Sequence, residues 1–538
     1  MSSIKDLEPN GVWRNFYSLT QIPRPSKKEA KVIAFMKQWG EEHGLETIVD
    51  ECGNVIMRKP ATPGMENRKG VILQAHLDMV PQKNADKVHD FENDPIETHI
   101  EDGWVKANGT TLGADDGLGA AAAMAVLEAT DLQHGPIEAL FTIDEETGMT
   151  GANKLQPGVL KGDILMNMDS ETEGELYVGC AGGVDNIGTW TPTFEAVPAD
   201  MKAYRLFVKG LKGGHSGMDI NMGRANANKV LNTMLLMAAE KYGLHLACID
   251  GGSLRNAIPR EAEAIVVVPA NKEEEFKQYA AEYEGICKEE FAEVEPELAI
   301  LCKATEMPKQ VIDVKTQDNM FCAIARYPNG VIAMSEDFEG TTETSSNLAT
   351  WKMDNGKITT ASLTRSLVDA AKDKLAEQIR KNLTDNGAEA YSTGDYPGWK
   401  PNINSTILNL MKKVYMEKFG KEPKVMVIHA GLECGILGSK YPNWDMVSFG
   451  PTLVHPHSPD EALLIESVQP FWDFLVETLR NIPEKEVIAE PTNYQQFEKG
   501  KIKFGFAFFI FFKKNVGAKE NLCTFAAQFR GILVKNNK

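Results

Sequence analysis

Patterned cysteine is missing from this chain. Its eight cysteines (Cys52, Cys180, Cys248, Cys287, Cys302, Cys322, Cys434 and Cys523) are scattered over 538 residues, and no two form a Cys-x-x-Cys pair. That argues against a disulfide framework and points to a reducing compartment, the cytoplasm. Positive charge is also scarce. Lys and Arg number 57 against 76 Asp and Glu, a formal net charge of -19. Such a surface repels phosphate backbones, which excludes nucleic acid as a natural partner. Long apolar runs are lacking too. Phe504 to Phe512 is nine residues, well short of the about 20 that a membrane helix needs. The opening MSSIKDLEPNGVWRNF has no apolar core behind a basic start, so no signal peptide and no membrane association are expected.

What remains is a chain of ordinary globular composition, 43% hydrophobic and 25% charged, long enough for two domains. Its first part alternates helical and strand patterns. Lys27–Gly44 carries apolar residues at helical spacing, and Leu118–Ala129 is an alanine-rich helix after a glycine turn. Gly53–Met57, Val71–Gln74, Pro136–Ile143 and Ile164–Met168 read as strands. The same style returns at Ile403–Phe419, Val425–Ile428, Met446–Phe449 and Val468–Leu479. Alternating strands and helices predict an α/β layered domain with a mixed central sheet flanked by helices, discontinuous over 1–195 and 388–484. Between them, 196–387 predicts an inserted α+β lid of two related units. Strands are expected at Tyr204–Lys209 and Ala264–Val268, then at Phe321–Ala325, Leu348–Met353 and Lys357–Leu363. Helices are expected at Ala225–Ala239, Glu273–Glu290 and Leu367–Asn382. Asn256 and Asn347, each read as opening a strand, supply the echo between the units. The segment 485–538 differs from the body. From Lys501 on it has eight Lys/Arg and one acid, and it reads as an appended extension, loosely packed or disordered, rather than a membrane-touching tail.

Five segments carry chemistry: QAHLDMV with His76 and Asp78, LGADDGLGA with Asp115 and Asp116, IDEETGMTGA with Glu145 and Glu146, MNMDSE with Asp169, and HPHSPDE with His457. Three of them are apolar strands that end in polar, mostly acidic residues. In an open α/β sheet, ligands gather beyond the carboxyl ends of the strands, so neighbouring strands would deliver these side chains to one place. Several carboxylates share a small cleft only when protons or cations neutralise them. Two imidazoles with three carboxylates suit zinc. Singly, each segment has a plainer explanation, such as a helix cap at Asp115-Asp116 or a solvated loop at Glu145-Glu146. Together they favour a metal site.

These motifs jointly resemble the di-zinc peptidases that include carboxypeptidase G, aminoacylase and the bacterial dipeptidases. The wording LGADDGLGAAAAMAVLE and GLKGGHSGMDIN is similar to a dipeptidase branch, and the resemblance spans about residues 1–484. It implies two Zn²⁺, with Co²⁺ or Mn²⁺ as substitutes. His76 and Asp169 would hold one ion, Glu146 and His457 the other, and Asp115 would bridge them, through a cis peptide to Asp116. It further implies Asp78 behind His76 and Glu145 as general base for a zinc-bridged hydroxide. His215 would stabilise the oxyanion, and Asn256 and Arg365 would contact substrate. The implied activity is hydrolysis of small peptides, broad dipeptides of the Xaa-His type. The alternatives are an N-acyl-amino-acid deacylase on the same site and a catalytically silent metal-binding relative. The oligomeric state stays open, a homodimer included.

Overall fold

Val71, Leu73 and Ala75 face one apolar cluster while Ile72 faces another, so the strand Val71–His76 is buried on both sides. A strand with such a continuous apolar sequence belongs in the middle of a helix-covered sheet. The computed structural model, which describes residues 3–485, places it there. The eight-stranded sheet runs Glu46–Val49, Val55–Lys59, Ile137–Thr142, Val71–His76, Ile164–Asn167, Asp445–Ser448, Glu175–Cys180, Lys424–Ile428. Val71–His76 is parallel to Ile137–Thr142 on one side and to Ile164–Asn167 on the other. All three therefore end at the same edge. The first two strands add an antiparallel hairpin, which makes the sheet mixed. One face is covered by helices that include Asn10–Thr20, Ala114–Glu128 and Ile465–Asn481, and the other by Glu433–Lys440.

A second, nine-stranded sheet has four helices packed in its core, Ala227–Tyr242, Glu273–Glu290, Val314–Ala325 and Asp369–Asp385. It contains two units of the same topology. Each runs strand–helix–strand–strand–helix–strand, with the strands in spatial order 4-1-3-2. One comprises Met201–Lys209 to Ala299–Ala304. The other comprises Gly182–Trp190, then Val314–Ala325 through to Glu389–Tyr396, with the short Gly330–Met334 as an addition. The first unit is inserted into the second. A two-stranded ribbon, Phe194–Ala196 against Gln310–Ile312, marks where the chain leaves and returns. The units meet where His245–Gly251 pairs with Thr342–Asp354.

Several expectations are corrected here. Phe321–Ala325 is the last turn of a helix, not a strand. Its Met320, Phe321, Ala323 and Ile324 are buried at helical spacing, and so short an apolar run fits either period. Asn347 lies inside the strand Thr342–Asp354, while Asn256 precedes a two-residue strand, Ala257–Ile258. The two asparagines are thus not equivalent, and the repeat resides in strand order instead. The second sheet takes in Gly182–Trp190 and Glu389–Tyr396, both outside the 196–387 boundaries. The chain passes between the sheets at Cys180 and Trp399, which pair side by side with N–O distances of 3.0 and 2.9 Å. By its contacts the chain up to Lys485 forms one compact unit. The reading of 486–538 lies outside the described residues.

Candidate active site

The three parallel strands deliver His76, Glu145-Glu146 and Asp169 to one edge of the first sheet, each at or within four residues of its strand's end. Asp115 comes from the start of the helix Ala114–Glu128, with a cis peptide to Asp116. This entry is crowded. A side chain at Gly117 would strike the Arg24 guanidinium, and one at Gly119 would strike Asp116, which accounts for the last two glycines of GADDGLG. His457 arrives from the hairpin between Leu453–Val454 and Ala462–Leu464 in a small four-stranded sheet.

Four sets of described residues could hold an ion; two of them share Asp115, a third, His76, Glu145 and Glu146, overlaps those two, and the fourth is Glu29, Asp78 and Asp144. His76, Asp115 and Asp169 offer atoms within 4.8 Å of one another, as do Asp115, Glu146 and His457. His76 Nε2 is 3.2 Å from Asp115 Oδ1 and 3.5 Å from Asp169 Oδ1. His457 Nε2 is 2.9 Å from Asp115 Oδ2 and 3.0 Å from Glu146 Oε2. The other ring nitrogen of His76, Nδ1, lies 3.1 Å from the Asp78 carbonyl and 3.4 Å from Asp78 Oδ1. A carbonyl only accepts, so Nδ1 carries the proton and the Nε2 lone pair is free for a cation. Asp78 is fully buried. Its carboxylate accepts the backbone N–H of Glu145 at 3.0 Å, that of Glu146 at 3.3 Å and the Ser26 hydroxyl at 2.8 Å.

The electrostatics match an ion site. Burial, and then like charge from Asp169 and Glu146 against the pull of His76, pushes the Glu145 carboxyl well above the usual range. Asp169 is raised chiefly by burial, and Asp115 adds to it. Burial opposes charge on His457, but bonds to Asp115 and Glu146 push it up to about 11. Glu146 Oε1 is buried with no partner. Crowded acids pushed upward, the His457 imidazole pushed upward between two of them and an orphaned carboxylate oxygen are what a cation would resolve. The residues present fit a pair of divalent ions.

The second sheet contributes another set. His215 Nδ1 accepts the backbone N–H groups of Gly217 and Met218 at 3.2 and 3.1 Å, which leaves the proton on Nε2. Burial, then the Arg365 cation, lowers His215 to about 4, so the ring is a neutral donor. Arg365 is buried and donates to the Tyr396 hydroxyl at 2.8 Å. Asn256 is exposed. With His215, Lys212 and Arg260 it lines an open cavity of about 850 Å³ that none of the metal-group residues reaches.

Two residues escaped the sequence reading. Glu461 accepts the backbone N–H groups of Leu112, Gly113 and Ala114 at 2.8–3.0 Å and that of Asp115 at 3.3 Å. It stands four residues after His457 in HPHSPDE, and an acid beside a ligand motif was the available signal. Buried Arg24 donates to the carbonyls of Leu77, Asp78 and Gly113, and no local pattern announces it. Glu461→Ala would leave those N–H groups unpaired. It is expected to cost about 3 kcal/mol or more in denaturant unfolding and to weaken ion binding, with Glu461→Gln intermediate.

The sequence profile of peptidase family M20/M25/M40 matches residues 72–481. The chain belongs to that family. This M20 chain is 46% identical over 485 residues to the cytosol non-specific dipeptidase of Escherichia coli strain K12, a match covering 90% of this chain and 100% of that one. The aminoacylhistidine dipeptidase structure from Vibrio alginolyticus superposes with a TM-score of 0.82 at 47% identity, over 90% of this chain and 99% of that one. The PepT aminopeptidase of Bacillus cereus shares the fold at 14% identity and a TM-score of 0.51. No helix among the described residues of this M20 peptidase is long and apolar enough to cross a membrane.

Proposed function

We propose that the chain is a cytoplasmic dipeptidase of broad, Xaa-His-including specificity that works with two zinc ions. The observation that carries the reading is Asp115 shared between two three-residue ligand groups, with Glu145 beside them and bound to neither histidine. His76, Asp115 and Asp169 would hold one ion, and Asp115, Glu146 and His457 the other. When bound, such ions acidify water and polarise the scissile carbonyl. Glu145 takes the proton from the attacking water and returns it to the leaving amine. Asp78 holds the backbone of Glu145 and the ring of His76 in register. The Nε2–H of His215 donates to the oxygen that gains charge as the carbonyl becomes tetrahedral. Arg365 grips the substrate's terminal carboxylate, and Asn256 is a further substrate contact. A chain that grips one end and cuts at a fixed distance measures length, which supports dipeptides over longer substrates.

The test is hydrolysis of Ala-His, β-Ala-His and N-acetyl amino acids, before and after chelation. Dipeptide cleavage should fall on the order of a hundredfold or more when the metal is stripped and return with Zn²⁺. Hydrolysis that ignores the chelator, or a preference for N-acetyl amino acids, would overturn the reading.

A further inference from the structure

His429 follows the strand Lys424–Ile428, on the edge of the first sheet, and belongs to none of the ligand groups. It is nevertheless buried, and it bridges the two sheets. Its Nε2 is 2.7 Å from the Ser345 hydroxyl on the strand Thr342–Asp354. Across the ladder Ser345 pairs directly with Arg365. Two residues on, Gly431 packs so closely on Tyr396 that a Cβ there would lie 3.0 Å from its ring, and Tyr396 is the residue that receives the Arg365 hydrogen bond. The loop therefore contacts the neighbours of Arg365 on two sides. It also reaches His215. The Gly217 amide fixes the His215 ring, and a side chain at Gly217 would run into the His429 carbonyl oxygen. The loop's base is anchored in turn, because the Ala181 amide donates to the carbonyls of Ile428 and Ala430 at 3.0 and 3.1 Å.

We propose that His429 is a positioning residue, whose bond to Ser345 and whose carbonyl against Gly217 set His215 and Arg365 in place for the substrate. Its chemistry suits the task. Burial, then the nearby Arg365 cation, lowers the ring to about 3, so it stays neutral beside a guanidinium where lysine or arginine would be repelled. A hydroxyl both donates and accepts, so Ser345 bonds either tautomer. The other ring nitrogen, Nδ1, is buried beside the Thr342 backbone carbonyl.

The inference rests on the dipeptidase reading, and the experiment separates the two. Turnover of Ala-His by the unaltered chain reports on that reading, and the ratio of each variant to it reports on His429. Ser345→Ala removes one hydroxyl at little risk to folding. It and His429→Ala are each expected to lower kcat/KM by tenfold to about a hundredfold, as displacement of a reacting group does, with two ions still bound per chain. The double variant should lose no more than the worse single one. His429→Gln, whose amide reaches Ser345, should recover part of the loss. Wild-type kcat/KM in Ser345→Ala, additive losses in the double variant, or a loss that follows ion content would each overturn the proposal.

Discussion

Glu145→Gln is expected to lower kcat for a dipeptide by on the order of 10²–10⁴-fold while two ions stay bound. Glutamine keeps the shape of the side chain and the backbone N–H that donates to Asp78 at 3.0 Å, but it cannot carry a proton from water to amine. The adjacent Glu146 differs in kind, because its carboxylate is 3.0 Å from His457 and its loss should remove an ion. Glu145 does lie within 4.8 Å of His76 and Glu146 atoms, so a ligand role is the rival explanation. Metal analysis beside single-turnover kinetics decides between them. Near-normal kcat, or one ion missing from Glu145→Gln, would sink the assignment.

Asp115→Ala should be more damaging to metal than any other single ligand change. Asp115 Oδ1 faces His76 and Oδ2 faces His457, so one substitution breaks both groups. Bound ions should fall from two per chain toward none, and turnover should drop on the order of 10³-fold or more. His457→Ala is the control. It leaves His76, Asp115 and Asp169 intact, so one ion should persist. If Asp115→Ala retained a tight ion and substantial turnover, the shared-ligand geometry would be wrong.

The parts legible in the sequence share a physical cause. A strand buried on both faces must be apolar throughout, so Val71–His76, Ile137–Thr142 and Ile164–Asn167 stand out, and acids crowded at their ends have few purposes besides holding a cation. Glu461 and Arg24 were hidden because their partners are backbone groups. Arg24 bonds carbonyls 53–89 residues away, and Glu461 collects amides 346–349 residues away. A peptide group looks alike at every position, so nothing local marks which one a distant side chain will choose. His429 stayed hidden likewise, since its meaning lies in a strand from the other sheet. The inserted unit misled for a different reason. Its topology repeats while its side chains do not, and the asparagine echo followed residues where the likeness is one of order.

The paired passage at Cys180 and Trp399 has a genealogical consequence. The points where the intervening 200-odd residues depart and rejoin stand shoulder to shoulder, as do the two ends of the nested unit at its ribbon. Each module is therefore of the kind acquired by splicing into an existing loop, one inside the other, without rerouting the strands whose ends carry His76, Glu145, Glu146 and Asp169.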